Sequence, residues 1–146
     1  MLKIISRLPV FILTISIVMP AANADSFNSQ VIKAVFTTDI KKNRPINEVL
    51  ILENNIKKVY FYSEIKNMQG KKVYHTWEHR GKKLYQKSFD INEKTERLIS
   101  SKILEKTLTG EWMVLISDEN KVPIKAVMFK YIKKGSLAGK GIVPFR

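Results

Sequence analysis

From Ile32 onward the apolar residues recur mostly at every second position, in short runs separated by polar, Gly- or Asn-containing breaks. Successive side chains of a strand point to opposite faces, so a period of two marks half-buried strands. The 3.6-residue spacing of an amphipathic helix is scarce. The pattern predicts strands at residues 31–38, 58–65, 72–80, 83–91, 96–104, 111–117 and 122–131, with a brief one at 49–52. Asn67-Met68-Gln69-Gly70, Arg80-Gly81-Lys82, Asn92-Glu93-Lys94 and Asp118-Glu119-Asn120 supply residues that tolerate turn geometry, so consecutive strands should run antiparallel. A single amphipathic sheet would leave its apolar face wet. Seven or eight short strands therefore predict an all-β chain folded as an immunoglobulin-like antiparallel β-sandwich, with an open barrel as the alternative. Pro123 lacks a ladder donor, which places the start of the last strand at a sheet edge.

The strands are preceded by a basic start (Lys3, Arg7), an apolar run from Leu8 to Met19, and Ala22-Asn23-Ala24. These are the three parts of a secretory signal peptide, and the run is short of the roughly 20 residues that span a bilayer. The expected division is a signal peptide at 1–24, a sandwich domain at 25–132 and a flexible basic tail at 133–146, which puts the mature chain in the periplasm or outside the cell. An uncleaved membrane anchor is the alternative. Cleavage removes two basic residues and no acid, taking the formal charge from +13 to +11 and leaving 122 of 146 residues. Such a length holds one domain with its own core. The chain has no cysteine, which excludes thiol catalysis, lipoprotein anchoring and cysteine-ligated metals.

The sharpest constellation is Tyr74-His75-Thr76-Trp77-Glu78-His79, which on a strand sets His75, Trp77 and His79 on one face. Two imidazoles so placed could approach one metal, yet zinc needs further ligands from elsewhere. The structural reading has Trp77 anchoring the core, His79 at the hairpin mouth and His75 bonded to a neighbouring strand. Trp112, Val114 and Ile116 read as the inward face of a late strand, with Trp112 meeting Trp77 across the core. Arg97, Ser100, Ser101 and Lys102 could bind a phosphate or carboxylate, or form a solvated face. No Gly-x-Ser-x-Gly elbow occurs, and the glycine-rich stretch at 134–141 lacks the order of a phosphate-binding loop, so no cofactor is expected.

If consecutive strands reverse direction, one end of the sandwich collects Lys57, Lys58, Arg80, Lys82, Lys83, Lys102, Lys106, Lys130, Lys133 and Lys134 against Glu53, Glu78, Glu105 and Glu111. The other end mixes acids and bases almost evenly. Such a pole attracts anionic surfaces across about one Debye length, roughly 8 to 10 Å in physiological salt, or else serves solubility. Nucleic acid is not expected, because the aromatics do not interleave with the basic residues.

Three blocks carry a resemblance: the segment from Val59-Tyr60-Phe61 to Gln69-Gly70, His75-Thr76-Trp77-Glu78-His79-Arg80-Gly81-Lys82, and Arg97 with Ser100-Ser101-Lys102 followed by Gly110-Glu111-Trp112. In this order they resemble a bacterial family, domain of unknown function 2914, over about residues 31–129. The resemblance implies a small domain, often exported or membrane-tethered, with no assigned activity. It marks His75, Trp77, Arg97, Ser100, Ser101 and Trp112 as signature positions.

The expectation is an exported, non-catalytic binding or interaction module of the cell envelope. Its tentative binding residues are Lys57, Lys58, Arg80, Lys82, Lys83, His75, Arg97 and Ser101, with Trp77 and Trp112 in the core and no metal. Its partners would be acidic glycans, lipid head groups of a membrane surface, or a protein. The alternative is a metal-assisted or acid-base hydrolase centred on His75 and His79. A structural subunit joined through an exposed strand edge is a third possibility.

Overall fold

A computed structural model describes residues 30–137. The expected signal peptide and most of the expected tail lie outside the described residues. Those residues are all-β and form two facing sheets. The three-stranded sheet has the order β1 (Val31–Thr37), β5 (Lys58–Lys66), β8 (Thr95–Ile103), with both pairs antiparallel. The five-stranded sheet has the order β4 (Ile51–Glu53), β10 (Pro123–Ile132), β9 (Gly110–Ser117), β6 (Lys72–His79), β7 (Lys82–Asp90). The sandwich and the strands follow the alternation. A two-residue pair, β2 (Ile40–Lys41) with β3 (Arg44–Pro45), is additional, because a polar stretch with two-residue ladders leaves no periodic signal.

One pairing departs from the antiparallel expectation: β10 runs parallel to β4. Strand direction alternates from β4 through β10, so two even-numbered strands placed side by side must point the same way. Because β4 pairs only with Lys130 to Ile132, the first part of β10 is an open edge, and this is where Pro123 sits.

The turns use the residues their geometry demands. Arg80 (φ 49°) and Gly81 (φ 76°) both take left-handed backbone between His79 and Lys82, a two-residue turn whose twist matches the flanking strands. Opposite it, Asp118 accepts from the amides of Asn120 and Val122 at 2.9 and 2.8 Å and closes the β9–β10 hairpin. The expected tail begins as a turn fastened to β4, with the Lys134 amide donating to Asn54 and the Gly135 amide to Glu53, both at 3.0 Å.

Inward faces of both sheets meet in one cluster that includes Phe36, Phe61, Ile65, Val73, Trp77, Leu98, Trp112, Val114, Ile116, Phe129 and Tyr131. Among the described residues this cluster runs from Phe36 to Tyr131, all of which a chain beginning at Asp25 contains. Trp77 and Trp112 are both fully buried, as expected of core anchors. They do not meet across the core, because β6 and β9 are neighbours in one sheet. Instead Phe36 bridges them, 5.6 Å from Trp77 and 4.6 Å from Phe129, which stacks on Trp112 at 6.3 Å. Truncating one such aromatic to alanine costs about 3 to 5 kcal/mol.

Val35, Thr37 and Tyr62 occupy the opposite, outer face of the three-stranded sheet by strand alternation, yet they are buried. The excursion at residues 38–48 shields them. It is held by Asn47, whose Oδ1 accepts from the Thr37 hydroxyl at 2.7 Å and the Thr38 amide at 3.0 Å.

Candidate functional site

The direction of the strands decides which side chains share an end. The start of β5 lies opposite the finish of β8, with Lys58 facing Ile103, and the start of β9 lies opposite the finishes of β6 and β10. The Leu104 amide donates to Lys57 O at 2.7 Å and extends the β5–β8 ladder, while the Tyr131 hydroxyl donates to Ile56 O at 3.0 Å and the Asn54 amide side chain to Lys106 O at 3.1 Å, tying the two sheets together at this end. Lys57, Lys58, Arg80, Lys82, Lys83, Lys106, Lys130, Lys133 and Lys134 are exposed around it, and Lys102 is half-buried.

Arg80 is fixed rather than free. Its amide donates to Glu111 O at 3.1 Å and its Nη2 to Thr109 O at 3.2 Å. Its guanidinium lies against Gly110 (φ 118°), where a Cβ would stand 2.8 Å from Nε. The left-handed backbone favours glycine there, and a Cβ would also force the flexible Arg80 guanidinium to shift. His79 donates from Nε2 to the same Thr109 carbonyl at 3.0 Å and lies 4.8 Å from the Trp112 ring, which makes it a wall of this end.

The acids at this end neutralise little. Glu53 accepts from the Gly135 amide, and none of Glu53, Glu78, Glu105 and Glu111 forms an ion pair within 4.0 Å among the described residues. The ion pair found among them, Lys72 with Asp90, is at the other end, where the Glu96 carboxylate also accepts from the amides of Asn92 and Glu93.

His75 does not join the basic end. It is 0% exposed, between Ser63 on β5 (Oγ to Nε2, 2.9 Å) and Ser100 on β8 (Oγ to Nδ1, 3.0 Å), and Trp77 Nε1 donates to the same Ser100 Oγ at 3.0 Å. Either ring tautomer closes this network. Burial, and secondarily the Lys87 ammonium, pushes the imidazole down to about 3, so it is neutral at physiological pH. A sealed, neutral imidazole with both nitrogens engaged can neither take a proton from a substrate nor ligate a metal without unfolding its surroundings. Among the described residues no group of three or more His, Cys, Asp or Glu is placed to hold a metal.

The Arg97 to Lys102 cluster is divided by strand alternation. Ser100 points into the core, whereas Arg97 and Ser101 lie on the outer face with Ile99. Arg97 borders an open cleft of about 430 Å³ with Asn43, Glu93, Thr95 and Glu96, at the near-neutral end. Roughly 20 Å of strand separates it from Ile103. Ser101, opposite Tyr60, is nearer the basic end but only half-exposed. Of the eight expected binding residues, the structure thus gathers Lys57, Lys58, Arg80, Lys82 and Lys83, and leaves His75, Arg97 and Ser101 elsewhere. Sequence reasoning missed Ser63 and Ser100 as core residues, although they alternate with Phe61 and Leu98, and it passed over Ile103.

No curated protein matches the chain. The family described as Protein of unknown function (DUF2914) matches residues 70–131, so the block before Gly70 falls outside the matched stretch. That stretch runs from the approach to β6 to the penultimate residue of β10 and holds His75, Trp77, Arg97, Ser100 and Trp112. Over that stretch the match supports the resemblance to family DUF2914.

Proposed function

We propose that the chain is an exported, non-catalytic binding module of the cell envelope whose basic end holds an anionic envelope component. Export rests on the signal-peptide pattern of residues 1–24. The observation that carries the binding reading is the set of exposed cations at one end, among which no ion pair forms in the described residues. Charges that fold stability does not use stay available to an external polyanion. Acidic glycans, lipid head groups and acidic protein surfaces share that chemistry. A hydrolase centred on His75 and His79 draws no support from the geometry, because the two rings engage different partners and one is sealed.

The test is charge reversal. Changing Lys57, Lys58, Lys82 and Lys83 to Glu should abolish retention on an acidic glycan column and on anionic vesicles at low salt, while the melting midpoint stays where it was. Retention equal to that of the unmodified chain would refute the proposal.

A further inference from the structure

The basic end also carries an apolar feature that folding does not use. Ile103, the last residue of β8, is 72% exposed, more than any other large hydrophobic side chain among the described residues. A single exposed isoleucine is ordinary on a protein surface. Its setting gives it meaning. Lys58 is its direct cross-strand partner, Lys102 precedes it, and the Leu104 amide that follows is bonded to Lys57 O. Tyr60, one step along the same outer face, is half-buried with Lys58 Nζ 4.7 Å from its ring centre. With Tyr60 half-buried, Ile103 is the bare apolar side chain of this row, beside Lys57 and Lys58.

We propose that this end docks on an anionic lipid bilayer, with Ile103 entering the boundary between head groups and acyl chains while Lys57 and Lys58 contact lipid phosphates. The proposal rests on the binding role of the basic end and names its partner. Charge complementarity favours any polyanion, but the three candidates differ in what they offer Ile103. An acidic glycan has no hydrocarbon to receive it. A stable protein interface needs about 800 Å² per partner with an apolar centre, which one isoleucine does not supply. A bilayer boundary accepts an isolated apolar side chain and rewards each nearby cation separately.

The experiment uses the chain beginning at Asp25 and vesicles of equal parts phosphatidylglycerol and phosphatidylcholine. Ile103→Ser should lower partition onto the vesicles about tenfold, as expected for withdrawing one aliphatic side chain from an apolar setting, and leave retention on an acidic glycan unchanged. Ile103→Trp should retain vesicle binding, and its introduced indole should be quenched by brominated lipid. Trp77 and Trp112 are fully buried and therefore shielded from contact with the brominated chains, so their emission serves as the unquenched background. Partition of Ile103→Ser equal to the unmodified chain, or an unquenched indole on vesicle-bound protein, would overturn the inference. Retention by the glycan without vesicle binding overturns it too, yet leaves the basic-end reading standing. Failure of the unmodified chain to bind either overturns both.

Discussion

The centre of the sandwich and its basic end treat polar groups in opposite ways. In the centre, Ser63, His75, Trp77 and Ser100 are sealed from water and each polar atom has a partner; among the described residues no buried side-chain nitrogen or oxygen lacks one. At the basic end the cations stand in water, and the acids near them form no ion pair with them. The fold uses the first group for its own cohesion and leaves the second without ionic partners among the described residues. Substitutions in the centre should therefore act on stability alone, and substitutions at the end on binding alone.

Among the polar groups of the centre, the largest stability effect should come from Ser100→Ala. It strips the Trp77 Nε1–H and one imidazole nitrogen of a buried partner, at about 3 kcal/mol for the two. Chemical denaturation should show that loss, with retention on a polyanion undiminished under native conditions. A variant as stable as the unmodified chain would mean that water replaces the hydroxyl and the centre is not sealed.

Acid gives the next effect. Folding holds the His75 imidazole at about 3, below the 6.5 of an unfolded histidine, so the unfolded chain gains a proton first as pH falls. Stability is thus unaffected by this group above pH 6.5 and declines below it, by roughly 2 kcal/mol at pH 5. A melting midpoint that stays flat from pH 7 to pH 5 would place His75 in contact with water. The smallest effect should be Lys72→Ala: its ion pair with Asp90 is exposed and screened, and the midpoint should barely move. A clear fall there would show that the near-neutral end contributes more to cohesion than the contrast allows.

Much of this architecture was legible because strand alternation is a local signal. The register of β5, β6, β8 and β9 follows from Phe61, Trp77, Leu98 and Trp112 facing inward, and Arg80-Gly81 and Asp118 mark the hairpins by turn chemistry alone. What escaped depends on neighbours that the chain does not announce. The pairing of β4 with β10 joins distant segments, and the excursion at 38–48 is ordered by Asn47 and two threonines rather than by any apolar period. Arg97 and Ser100 were grouped by proximity in sequence, whereas the same alternation that revealed the strands assigns them to opposite faces. The basic end was readable because it needs only strand direction, not pairing.

The most direct test of the separation between cohesion and binding is one titration of anionic vesicles into the variant with Lys57, Lys58, Lys82 and Lys83 reversed to Glu, its melting midpoint recorded on the same sample. At about a tenfold or smaller contribution from each lysine, the account predicts affinity lower by about a thousandfold or more at low salt and a midpoint equal to or above that of the unmodified chain. Undiminished affinity, or a variant that has lost its cooperative melt, would contradict it.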